Sequence, residues 1–112
     1  MTGAPIRRRP PNRRAHLVLD FEHGGFSYTA GVGFFEDDGR QPAEIFLTTG
    51  KHGSLVDINA RDAAIAASLL FQHGCPLDTL RRALTRNGDG SASGPLAHVL
   101  DLLQRQHKAD AE

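Results

Sequence analysis

The chain of 112 residues reads as an α+β domain, a three-stranded antiparallel meander followed by one long and two shorter helices packed on one face. Three observations carry that reading. Apolar and polar residues alternate through Leu17–Glu22 and again through Phe26–Phe35, the period of half-buried strands. From about Asp57 the period changes, and Ile58, Ile65 and Leu69 recur at helical spacing among Ala60, Ala63, Ala64, Ala66 and Ala67. Finally, Pro76 and Pro95 each open a shorter apolar pattern of helical period.

Residues 1–14 are rich in Pro and Arg and poor in apolar side chains, so a disordered basic arm is expected. The domain proper is expected over residues 15–104, with 105–112 a polar, frayed tail. Leu17, Leu19 and Phe21 form one face of the first strand, and His23-Gly24-Gly25 supplies a hairpin turn. The second strand puts Tyr28, Ala30, Val32 and Phe34 on one face and Ser27, Thr29, Gly31 and Gly33 on the other. Two glycines within a strand mark a bulge, a bend or the close approach of another group. A polar turn over Glu36–Arg40 leads to a third strand around Glu44–Thr48.

Gly50 and Gly53 allow a sharp turn around Lys51 and His52. The long helix starts near Asp57, with Ser54 or Asp57 as its N-cap, and stops at Gly74 and Pro76. Its alanines have high helix propensity and little bulk, so a face built on them allows close approach to a sheet. The second helix places Leu77, Leu80, Ala83 and Leu84 inward and Arg81, Arg82 and Arg86 outward or near its end. A glycine- and serine-rich loop over Asn87–Gly94 precedes the third helix, whose apolar positions are Leu96, Val99, Leu100 and Leu103.

The formal net charge of zero conceals an uneven distribution. Arg7, Arg8, Arg9, Arg13 and Arg14 precede the first acid, Asp20, leaving 8 basic against 13 acidic residues in the body. With one cysteine there is no intramolecular disulfide, and a reducing, cytoplasmic setting fits. No run of 18 apolar residues suggests a membrane span, and the N-terminus lacks the apolar core of a secretory signal.

The string EIFLTTGKHGS (Glu44–Ser54), the alanine-rich helix with its ARDAAI segment (Ala60–Ile65), QHGCPLDTLRRAL (Gln72–Leu84) and the GPL start at Gly94–Leu96 together resemble the TSCPD domain. That domain lies near the C-terminus of adenosylcobalamin-dependent ribonucleotide reductases and also forms short stand-alone bacterial proteins. The likeness covers Phe26–Leu103 and implies an accessory, non-catalytic module. Where the family carries Thr-Ser-Cys-Pro-Asp, this chain reads GSASGP over Gly90–Pro95, so a metal or redox role of that cysteine does not carry over. Ribonucleotide reduction needs a thiyl-forming cysteine and a further reducing pair, whereas only Cys75 is present. The chain is therefore not expected to catalyse that reaction alone, and no catalytic residue and no cofactor are assigned.

Three groups of residues invite a binding role. Gly50, Lys51, Gly53 and Ser54 place backbone amides, a cation and a hydroxyl where a helix begins, a setting that favours nucleotides or other phosphate-bearing ligands, and Arg61 lies two turns further on. The spacing is not that of a P-loop, and a tight turn with an exposed lysine is the plainer reading. Asp57 and Arg61, four apart, suit a helical surface ion pair. The five arginines of the arm suit weak, salt-sensitive contact with nucleic acid phosphates, although no stacking aromatics accompany them. His52, His73 and Cys75 are metal-ligating types, but a structural zinc site wants four ligands, so no metal site is assigned. A protein partner, or a second copy joined through a sheet edge or the small-residue sheet face, is the remaining possibility.

Overall fold

A computed structural model describes residues 6–12, 15–35 and 38–111. Strands β1 (His16–His23), β2 (Phe26–Phe35) and β3 (Asp38–Thr49) form an antiparallel sheet in the order β1-β2-β3. Helices α1 (Leu55–Gln72), α2 (Leu77–Ala83) and α3 (Pro95–Ala111) follow. Gly24 and Gly25, with φ of 60° and 85°, make the β1–β2 turn, a backbone shape that a Cβ would strain.

The helices cover the Tyr28, Ala30, Val32 and Phe34 face of β2, joined by Ile45 and Leu47 of β3. Leu96, Val99, Leu100 and Leu103 of α3 pack onto it, as do Ala60, Ala64, Ala67 and Phe71 of α1. The opposite face has no helix over it among the described residues. There Val18, Gly31 and Phe46 lie side by side across the three strands. A Cβ on Gly31 would stand 3.7 Å from Phe46 Cδ2, so the missing side chain is the space in which Phe46 lies.

Four local expectations are corrected. β3 begins at Asp38, well before Glu44. Its ladder continues past a register irregularity at Gly33–Phe35, and Pro42 sits at that irregularity, where a sheet tolerates a missing N–H. Part of the expected Glu36–Arg40 turn, Glu36 and Asp37, lies outside the described residues. α1 begins at Leu55 with Ser54 as N-cap, its hydroxyl accepting from the Asp57 amide. Ile58, Ile65 and Leu69, the residues that signalled the helix, point outward at 43%, 58% and 41% exposure, and the alanine face is the buried one. Lastly, Arg81 and Arg86 turn inward to the Asp101 carboxylate, binding α2 and the following loop to α3. Arg86 is the main cause that holds the Asp101 carboxyl below its usual range.

α1 ends in a Schellman motif: the Gly74 amide donates to the Phe71 carbonyl and the Cys75 amide to that of Leu70, with Gly74 at φ 95°. α3 starts at Pro95 and remains helical beyond Gln104 as far as Ala111.

Candidate binding surfaces

The glycine-rich turn forms because β3 must give way to α1 within a few residues. Gly53 takes φ 78°, and the Ser54 hydroxyl donates to the Lys51 carbonyl at 2.6 Å. The centre of the region is Asp57, only 1% exposed. Its Oδ1 accepts from the Thr49 amide and the Thr48 hydroxyl, both at 2.9 Å, and its Oδ2 accepts from Arg61 Nε at 2.7 Å. The Thr49 amide first, and then Arg61, hold its pKa down to about 2 against the opposing effect of burial. The Asp57–Arg61 pair is thus not the surface pair expected. The amide at the end of β3 draws the carboxylate inward, and only Arg61 keeps an exposed flank.

Gly50, Lys51, Gly53, Ser54 and Arg61 do gather around one turn. However, Arg61 also reaches Thr48 Oγ1 at 3.3 Å and His52 Nδ1 at 3.2 Å, and Asp57 already supplies an anion at the helix start. Lys51 is exposed, its Nζ 5.3 Å from the centre of the Phe26 ring. The cleft beside the turn, about 560 Å³, is lined in part by Asp20 and Glu22, so carboxylates rather than cations face it.

The arginines of the arm part company. Arg7 Nε donates to Gln72 Oε1 at 2.5 Å, the Arg8 amide donates to the Gln72 carbonyl, and the Arg8 guanidinium lies 4.0 Å over the Phe35 ring. Arg9 is exposed, and Arg13 and Arg14 lie outside the described residues. His52 and His73 flank opposite ends of α1, a helix about 27 Å long at 1.5 Å per residue, and share no centre with each other. His73 caps α1 through Leu69, and the Cys75 thiol lies 3.6 Å from the Pro76 carbonyl.

Two features escaped the sequence reading. The first is a groove of about 430 Å³ between the outer sheet face and α1, with Phe46, Ile65 and Leu69 as its apolar lining and Glu44, Arg7 and Arg61 at its margin. The signal for it was the succession Ile45-Phe46-Leu47, since a strand with three apolar residues in a row must turn the middle one away from the core. The second is a pair of imidazoles, His23 and His98, with Nδ1 atoms 3.0 Å apart. The Ser93 carbonyl can only accept, so His23 donates to it from Nε2 and, when neutral, accepts at Nδ1 from His98. Burial first, and then the His23 charge, lower the His98 pKa.

Among the described residues no helix is long and apolar enough to cross a membrane. The sequence model of the TSCPD domain matches residues 6–106. The chain is 33% identical over 75 residues to vitamin B12-dependent ribonucleotide reductases of Streptantibioticus cattleyicolor and Streptomyces clavuligerus, and 32% identical over 76 residues to that of Rhodopirellula baltica. These stretches are 67%, 67% and 68% of this chain but 12%, 8% and 7% of the relatives, so the chain corresponds to a small part of each. No solved structure matches it. A match running through both the sheet and the three helices makes the chain a member of the TSCPD domain family.

Proposed function

We propose that this chain is a non-catalytic accessory module that works by docking on a protein of the ribonucleotide reductase kind, in a reducing, cytoplasmic setting. The observation that carries the reading is the apolar groove of Phe46, Ile65 and Leu69, continuous with Val18 on the uncovered sheet face. These residues are 41–67% exposed, and Leu55, Ile58 and Leu70 of α1 are exposed large apolar side chains as well. A contiguous apolar strip with a polar rim is the surface expected of a docking site. Titration of the chain into a vitamin B12-dependent reductase lacking its own matching segment tests this. Saturable binding that Phe46→Glu abolishes is expected, and absence of binding by the unaltered chain would contradict it.

A second reading, a nucleotide or other phosphate-bearing ligand at the turn, is favoured by exposed Lys51 between two glycines at the start of α1. It requires thermal stabilisation by nucleotides that Lys51→Ala removes. Gly53→Ala is a poor probe, because φ 78° strains any alanine there. A response to single-stranded DNA that disappears from a chain beginning at Ala15 would instead assign the binding to the arginine arm.

A further inference from the structure

We infer that two copies of this chain associate through β1, joining their sheets into one of six strands. This goes beyond the docking reading and uses the backbone edge of β1 rather than the groove, with Val18 common to both surfaces.

The hydrogen-bond phase of the sheet fixes what β1 offers. The Phe34 amide donates to the Ala15 carbonyl, so in an antiparallel ladder Leu17, Leu19 and Phe21 direct their amides and carbonyls at β2. Those of His16, Val18, Asp20 and Glu22 therefore point away from the sheet. Among the described residues only β2 pairs with β1. The eight residues of this edge hold one unbroken register with no Pro, no Lys and no bulge, and its two carboxylates, Asp20 and Glu22, both lie on the outer face. On the inner face Ala30 and Val32 of β2 are fully buried, whereas Leu17, Leu19 and Phe21 remain half-buried at the margin of the core.

A second β1 completes both deficits in one antiparallel register, with Leu19 opposite its own copy on the two-fold axis. Val18 then faces Asp20 and His16 faces Glu22, so all four outward-directed residues of each strand pair with outward-directed residues of the other. His16 thereby sets an imidazole N–H donor beside the Glu22 carboxylate. On the inner face Leu17 meets Phe21 and Leu19 meets Leu19. Centring on Asp20 would set two carboxylates against each other, and centring on Val18 would leave Glu22 opposite residue 14, outside the strand. The contact is self-complementary and closes, because the far edge of each sheet already lies under α1.

Sedimentation equilibrium of the full chain near neutral pH tests this. The unaltered protein should sediment at twice the chain mass at high micromolar concentration. Val18→Pro, which removes only an outward amide, should give a monomer with an unchanged circular dichroism spectrum. His16→Glu sets like charges against each other twice and should weaken the dimer roughly tenfold, and adding Glu22→Lys should restore it. If Val18→Pro fails to fold, the exposed His16 pair still decides. A monomer at every concentration, a dimer indifferent to His16→Glu, or one that Glu22→Lys does not rescue would each overturn the inference. Phe46→Glu should leave the dimer intact, so loss of reductase docking and loss of self-association are read separately.

Discussion

The two edges of this sheet carry the same backbone groups and meet different fates. Along β3 the outward amides and carbonyls belong to Ala43, Ile45, Leu47 and Thr49, and α1 lies against them. The Ser68 hydroxyl accepts from the Ile45 amide at 2.8 Å and lies 3.1 Å from the Ile45 carbonyl, Gln72 donates to the Ala43 carbonyl at 2.9 Å, and Asp57 accepts from the Thr49 amide. Along β1 no such helix is present among the described residues. A helix can stand in for a neighbouring strand if it brings polar side chains to the right carbonyls and amides and keeps alanine between them, here Ala60, Ala64 and Ala67. The same choice has an outward consequence. With its small residues committed to β3, α1 presents Ile58, Ile65 and Leu69 to the outside, two of which line the groove.

The comparison can be broken most strongly at Asp57. Asp57→Ala leaves the Thr49 amide and the Arg61 guanidinium without their carboxylate, and Tm should fall by roughly 15 °C or more in a thermal melt. The acid side of the same group has a defined sign. Because its pKa is lowered from 3.8 to about 2 in the folded chain, its contribution is fully present above pH 3.8 and is lost as pH falls toward 2. Urea melts over that window should show the gap between the unaltered chain and Asp57→Asn closing.

Ala64→Leu comes next, since a larger side chain at a position 2% exposed must push α1 off β3; about 2 kcal/mol should be lost in urea denaturation. Ser68→Ala leaves the Ile45 amide without its hydroxyl partner and should cost about 1 kcal/mol by the same measurement. At the other extreme, Ile65→Gln on the outward face should stay within about 0.5 kcal/mol of the unaltered stability. A large loss there would mean that the Ile65 face serves the fold rather than the groove.

Much of this architecture was legible because it rests on periodicity and on punctuation. Alternation sorted the residues of β1 and β2 into their two faces, though not which of them the helices cover, and Gly74 and Pro95 marked the end of α1 and the start of α3 where the structure has them. The alanines announced the face of α1 that approaches the sheet. What was not legible is that Ile58, Ile65 and Leu69 take no part in that face, since nothing local says that a helix seated on a strand edge excludes its larger residues. The turn was legible as a gathering of residues, but its electrostatics depend on the Thr49 amide reaching Asp57, a backbone donor no side-chain pattern reveals. Similarly, Arg81 and Arg86 read as outward until Asp101, fifteen and more residues later, supplies the carboxylate that turns them in.

Amide hydrogen exchange resolved by residue tests most directly the claim that α1 serves β3 as a substitute strand. The Ile45 and Thr49 amides should be protected to the same order as the central-strand amide of Val32, and Ser68→Ala should strip protection from Ile45 while leaving Thr49 unchanged. Exchange at Ile45 and Thr49 as fast as at the exposed loop residue Gly88 would contradict it.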